Sequence, residues 1–186
     1  IEFFGDVVER ISVLDPLGHT VRSRPTEVFL PPCSHHVFDP ALQEEVLADI
    51  RSELETRHAE LIAADRLLEA QRLRERTDAD IEAIVTTGFC RGIENYSMHF
   101  DRRSPGDRPS CLVDYFPEDF LLVVDESHVT VPQIGAMYEG DRSRKQSLVE
   151  FGFRLPSALD NRPLQAREFW SLVPQALLLS ATPGPW

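Results

Sequence analysis

Two short polar motifs, each placed directly after an apolar run, carry side chains that could do chemistry. Asp125 and Glu126 follow the first run, and Ser180 and Thr182 follow the second. In open α/β sheets, ligands bind beyond the carboxyl ends of the strands. There, one carboxylate can hold Mg²⁺ through water while its neighbour orients and deprotonates an attacking water. The acidic pair therefore predicts metal-dependent phosphoryl transfer to water.

A simpler interpretation is that Asp125 and Glu126 only cap the turn after a strand. The complete tetrapeptide Asp125-Glu126-Ser127-His128, taken together with the second motif, favours catalysis instead. Ser127 and His128 do not predict a nucleophilic dyad, because adjacent side chains rarely face each other and the serine lacks a Gly-x-Ser-x-Gly context.

Turn residues and apolar spacing predict the elements that precede these motifs. Residues 1–34 contain β-branched and aromatic runs separated by Gly and Pro turns, which predicts short strands at 1–4, 7–14 and 28–30. From Asp39-Pro40 onward, apolar residues recur every four positions and predict two or three helices. Thr77 is predicted to begin a new helix and Gly88 to end it.

The second half of the chain predicts a layered α/β domain. Residues 91–110 are rich in Arg, Ser, Pro and Gly and predict an extended surface segment. The apolar runs at 120–124 and 176–179 predict strands buried on both faces of a parallel sheet. Helices are predicted at 141–151 and within 163–172, and strands that alternate with helices imply α/β layers.

Composition sets limits on function. The chain has 42% hydrophobic and 27% charged residues, which is typical of a globular protein, and its net charge of −12 argues against coating nucleic acid by bulk charge. The charge is uneven, since residues 41–85 carry twelve acids against six arginines, whereas residues 140–168 carry six basic residues against four acids. The acidic run indicates a solvated helix face or a coiled-coil partner site.

The three cysteines form no C-x-x-C pair, which favours a reducing, cytoplasmic setting. No apolar run is long enough to suggest a membrane span.

The motifs resemble those of the UvrB family, the superfamily 2 helicase-like DNA repair ATPases of the bacterial UvrABC excinuclease. The resemblance spans essentially the whole chain. The matching segments, in order, lie at 1–6, 67–73, 92–97, 114–117, 125–133, 140–145, 152–163 and 180–185.

This resemblance implies roles for single residues. Asp125 would be the Mg²⁺-associated aspartate, and Glu126 the residue that activates water. His128, Ser180 and Thr182 would couple the nucleotide to the DNA-binding side. Four further residues are implied to lie near DNA: Glu94, Tyr96, Gln133 and Arg142.

The implied fold is a partial RecA-like (P-loop NTPase) parallel sheet flanked by helices, preceded by part of a small β-rich inserted domain. Residues 1–34 would end the domain that docks UvrA, and 35–128 would be part of motor domain 1. Residues 129–163 would form a small insert beside DNA, and 164–186 would resume the motor domain. The implied ligands are ATP and Mg²⁺, and the implied partners are damaged double-stranded DNA and the excinuclease proteins UvrA and UvrC, with no membrane.

The sequence contains no G-x-x-x-x-G-K-[ST] phosphate loop. We therefore expect an internal fragment of a larger ATP hydrolase, inactive when isolated. Two alternatives remain open: another superfamily 2 motor such as a transcription–repair coupling factor, and a non-catalytic interaction module built from the acidic helices.

Overall fold

The computed structural model describes residues 1–30 and 40–183, and the chain divides into two compact units, Ile1–Val37 and Phe38–Trp186. In the first unit, strands β1 (Glu2–Phe4) and β2 (Val7–Arg10) form one antiparallel hairpin. Strands β3 (Val13–Leu14) and β4 (Val21–Ser23) form another. The β-rich character agrees with the prediction, but residues 28–30 form no strand and Val21–Ser23 does.

A pair of long helices forms the core of the second unit. Asp39 lies outside the described residues; Pro40–Leu42 forms a 3₁₀ turn, α1 spans Gln43–Ala63 and α2 spans Leu67–Thr87. The four-residue apolar spacing supplies the buried face, which includes Val46, Ile50, Leu54, Leu61, Leu73 and Ile84. Gly88 ends α2 in the left-handed conformation at φ 74°, as predicted.

The predicted helix start at Thr77 is wrong, because this residue lies inside α2 and is only 1% exposed. Thr-x-x-Asp resembles a capping box in sequence, but Thr77 and Asp80 both lie in the interior of α2, where no helix begins. The Asp80 carboxylate accepts a hydrogen bond from the Tyr96 hydroxyl at 2.9 Å. A tertiary hydrogen-bond partner thus replaces the local cap.

The predicted surface segment at 91–110 is wrong in its first half. Ile93–Tyr96 forms a 3₁₀ turn and α3 spans Ser97–Phe100. Ile93, Tyr96 and Phe100 belong to the hydrophobic core together with α1 and α2. These apolar residues are too few and too closely spaced to show helical periodicity, so burial could not be recognised from sequence. Residues 101–110 do form a loop.

Strands β5 (Leu121–Val124) and β6 (Gln175–Leu178) form a parallel pair. The prediction that both faces are buried is wrong: Leu121 and Val123 are each more than half exposed, and all of β6 is exposed. A pair of strands has two open edges, and the elements of the described ranges leave much of its surface uncovered. The structure therefore shows a mixed α/β fold with one parallel pair, and a larger RecA-like sheet is not shown.

Helix α4 (Ser127–Glu150) begins immediately after the acidic pair, well before the predicted start at 141. Pro132 lies inside it, where it removes one helical hydrogen bond and leaves the rest of the helix intact. The helix crosses the predicted boundary between residues 128 and 129; that boundary and the one after 163 stay predictions. Gly152, at φ 71°, follows its end as predicted, and α5 spans Ala166–Leu172.

None of the helices in the described ranges combines the length and the apolar content that crossing a membrane requires.

Candidate functional site

The parallel register of β5 and β6 brings the two polar motifs to one edge. Val124 is aligned with Leu178, and the ladder continues past both strands. The Leu179 N–H donates to the Val124 carbonyl at 2.9 Å, and the Ser127 N–H donates to the Leu179 carbonyl at 2.8 Å. The two apolar runs therefore form parallel strands, as predicted, and their direct pairing places both motifs at the same edge.

Glu126 makes the turn from strand to helix in a conformation that is rare for its residue type. Its backbone has φ 46° and ψ 47°, the left-handed region, where residues other than glycine are uncommon. The turn is held by Thr130, whose N–H donates to the Glu126 carbonyl at 3.0 Å and whose hydroxyl donates to the Asp125 carbonyl at 3.0 Å. Strain of this kind costs about 1–3 kcal/mol and concentrates at functional sites.

A histidine connects the two motifs. His128 Nδ1 lies 2.9 Å from the Ser180 hydroxyl and 3.3 Å from Glu126 Oε2. The Thr182 N–H donates to the Ser180 hydroxyl at 3.1 Å. Glu126, His128, Ser180 and Thr182 thus form one polar network, and all four were singled out from sequence.

Asp125 fits the donor set that Mg²⁺ uses. Its side chain lies at an exposed position, and its Oδ1 accepts the Glu126 N–H at 2.9 Å. Among the described residues there is no group of three or more acidic, His or Cys side chains that could enclose a metal. Mg²⁺ is usually held by one or two carboxylates that leave room for waters and substrate phosphates. A lone aspartate beside the catalytic candidate Glu126 is consistent with that pattern.

The four residues implied to lie near DNA are placed apart from this network. Gln133 and Arg142 are exposed on α4, and Glu94 is exposed in the 3₁₀ turn before α3. Tyr96 is buried at 4% exposure, and its burial, with the Asp80 carboxylate beside it, raises its pKa well above the ordinary value. The structure gives Tyr96 a packing role, and the proximity of all four to DNA stays a prediction.

An aromatic and arginine cluster lies where α4 meets α5, and of its members only Arg142 was predicted from the sequence to be functional. Tyr138 lies in α4, and Arg142 and Arg162 are both close to its ring, at 5.8 and 5.3 Å from the centroid. The spacing of Tyr138 and Arg142, one helical turn apart, was a sequence signal that could have indicated it.

The fold and the site define an α/β protein whose polar residues meet beyond the carboxyl ends of parallel strands. Residues 42–102, which contain α1 to α3, match the family described as the UvrB third helical domain. The chain is 58% identical to the UvrABC system protein B of Thermobifida fusca and 60% identical to that of Beutenbergia cavernae. It is 56% identical to that of Nitratidesulfovibrio vulgaris.

Each of these alignments covers all 186 residues of this chain, but only 26%, 27% and 28% of the respective relative. Over its whole length the chain is similar to a segment of these UvrB proteins, and it spans about a quarter of the length of the relatives it matches.

Proposed function

We propose that this chain is the central segment of an ATP-dependent, helicase-like protein that verifies DNA damage in bacterial nucleotide excision repair. Its ligands are ATP and Mg²⁺, its partners are damaged double-stranded DNA and the excinuclease proteins UvrA and UvrC, and it acts in the cytoplasm. The single observation that carries the proposal is the convergence of Asp125-Glu126 and Ser180-Thr182 at one edge of a parallel strand pair, joined through His128.

Glu126 acts on the water that attacks ATP. Its carboxylate accepts a proton from that water as the water oxygen bonds to the γ-phosphorus, and the bond from the γ-phosphorus to the β,γ-bridging oxygen breaks to release ADP. Asp125 would hold Mg²⁺, which when bound neutralises charge on the phosphate oxygens. The strained turn at Glu126 directly follows β5, and the Glu126 side chain is 61% exposed, which leaves it open to a ligand.

His128 couples the hydrolytic residue to the neighbouring strand end. Because it contacts both Glu126 and Ser180, a movement of Glu126 between nucleotide states changes the hydrogen bond at Ser180. Ser180 in turn accepts the Thr182 N–H, so the change reaches the backbone that leaves β6. This path supports a role in transmitting the nucleotide state toward DNA.

The segment supplies only part of the nucleotide site. With no phosphate-loop motif in its sequence, the cradle for the ATP phosphates is expected to come from residues outside it. We therefore propose that ATP hydrolysis is a property of the longer protein, and that the isolated chain is inactive.

The test is Glu126→Gln in the full-length protein that carries this segment. Loss of the general base should lower the turnover number for ATP by at least about 10²-fold while ATP binding is retained. Glu118→Gln is the matched control, since Glu118 is an exposed acid in the loop before β5. An unchanged turnover number for Glu126→Gln would refute hydrolysis at this site and favour the non-catalytic interaction module.

A further inference from the structure

Helix α4 contains two glycines that the packing of the described residues does not require. A Cβ atom added to Gly135 or to Gly140 would meet no atom within 4 Å. A glycine inside a helix makes the helix less stable than an alanine would. Something other than helix stability must therefore explain a glycine at these two positions. A common reason is close approach of another molecule to the helix backbone.

Gly135 lies in a groove between α4 and α5, whereas Gly140 does not line it. The groove has a volume of about 420 Å³. Gly135 and Ala166 contribute the small residues of its lining, and Tyr138 contributes an aromatic side chain. At Gly135 no side chain covers the helix, so the backbone of α4 itself lines the groove there.

The aromatic side of the groove is held in place by arginines. Arg162 stacks 5.3 Å from the centroid of the Tyr138 ring, and its own guanidinium donates two hydrogen bonds to the Glu168 carboxylate at 2.7 and 2.8 Å. Arg142 donates to the Tyr138 hydroxyl at 3.0 Å. A ring fixed in this way presents a preformed surface, so a ligand need not pay to order it.

The charge of the groove favours an anion. Arg142 and Arg167 both line it at exposed positions, against the single acid Glu139. Two guanidinium groups can each make paired hydrogen bonds to phosphate oxygens. Tyr138 and the backbone at Gly135 line the same groove, and their apolar surface suits the apolar face of a sugar.

We propose that the groove between α4 and α5 binds the sugar–phosphate backbone of a DNA strand, with Arg142 and Arg167 on phosphates and Gly135 admitting the strand. This inference rests on the proposed function for its partner. It adds Gly135, Tyr138 and Arg167 to the residues that face DNA, and it assigns them contacts that carry no sequence preference.

The first test compares Gly135→Gln with Gly140→Gln in the full-length protein. Both changes add a good helix former where open space is available, so both variants should melt at or above the wild-type temperature. Only Gly135→Gln fills the groove. We expect it to weaken binding of a fluorescent duplex with one bulky adduct several-fold, while Gly140→Gln binds like wild type.

The second test compares Arg167→Glu with Arg51→Glu, since Arg51 is an exposed arginine on α1. Loss of a phosphate contact should weaken duplex binding and lower the slope of log affinity against log salt by about one. Arg51→Glu should leave that slope unchanged. ATP turnover without DNA is measured in parallel, and the two control variants, Gly140→Gln and Arg51→Glu, should keep the wild-type rate.

The groove assignment is overturned if Gly135→Gln and Arg167→Glu bind the duplex as their controls do, or if variant and control lose affinity equally. The proposed function fails separately, and the groove assignment with it, if the wild-type protein neither hydrolyses ATP nor binds the duplex. A wild-type protein that does both, with groove variants that match their controls, refutes the groove alone.

Discussion

The Ser180 hydroxyl lies 2.9 Å from His128 Nδ1, although the two residues leave different strands and are 52 positions apart. The contact exists because β5 and β6 are parallel and in register, so that both motifs emerge at the same edge. The same imidazole nitrogen lies 3.3 Å from the Glu126 carboxylate. His128 is therefore the physical link between the proposed hydrolytic residue and the neighbouring strand.

Removing the serine hydroxyl should interrupt this link without removing the hydrolytic residue. In the full-length protein, we expect Ser180→Ala to retain most ATP turnover without DNA and to lose most of the stimulation that DNA produces. The measurement is steady-state ATP hydrolysis with and without damaged duplex. Ser110→Ala is the control, because Ser110 is exposed in a loop. Equal stimulation of Ser180→Ala and wild type would contradict the coupling role.

Gly152 is predicted to be the glycine least tolerant of substitution. It has φ 71°, and a Cβ atom there would lie 2.3 Å from the Glu69 carbonyl oxygen of α2. The clash and the left-handed backbone together should cost about 2–4 kcal/mol in the free energy of unfolding of Gly152→Ala. Next to this position, Arg72 donates to the Phe151 carbonyl at 2.6 Å, so backbone relaxation is restrained.

The matched control is Gly88→Ala, because Gly88 has φ 74° but a Cβ atom there would meet nothing within 4 Å. It should lose only about 1 kcal/mol, the cost of the backbone conformation alone. Urea denaturation of the 186-residue chain, followed by circular dichroism, measures both. Similar losses in the two variants would show that the contact with α2 is looser than described.

Burial of Cys90 predicts loss of stability at alkaline pH. Burial, helped by the nearby Asp80 carboxylate, raises the pKa of the Cys90 thiol from 9.0 to about 12. Below pH 9 the thiol is protonated in both the folded and the unfolded state, so it contributes fully to the free energy of unfolding. As the pH rises from 9 toward 12, the unfolded thiol ionises first, so stability falls progressively.

Cys90→Ala should therefore show a shallower fall in urea midpoint between pH 9 and 11 than wild type does. Some slope should remain, because burial also raises the pKa of Tyr96. Cys111→Ala changes a cysteine outside the core and should follow the wild-type profile. Identical profiles for Cys90→Ala and wild type would refute the buried-thiol explanation.

The helices α1 and α2 show which parts of the fold could be predicted from local sequence patterns. The four-residue spacing correctly indicated α1 and its buried face, and Gly88 correctly marked the end of α2. The motif formed by Thr77 and Asp80 misled because Asp80 accepts a hydrogen bond from Tyr96, a residue that only the packing of α2 against the following turn brings near. Local and tertiary hydrogen-bond partners compete for the same polar side chain.

The polar side chains of the site can be read from the sequence alone: an acidic pair after one apolar strand, a hydroxyl motif after another, and a histidine between them. These are local facts, because residue type and strand period decide which side chains leave a strand end. Three further features became known from the folded chain: the parallel register that joins His128 to Ser180, the left-handed turn at Glu126, and the groove that Gly135 and Arg167 both line. The register and the groove depend on contacts between segments far apart in the chain, whose alignment a pattern of single residues does not encode. The turn at Glu126 depends on the backbone and hydroxyl of Thr130 in the helix that follows.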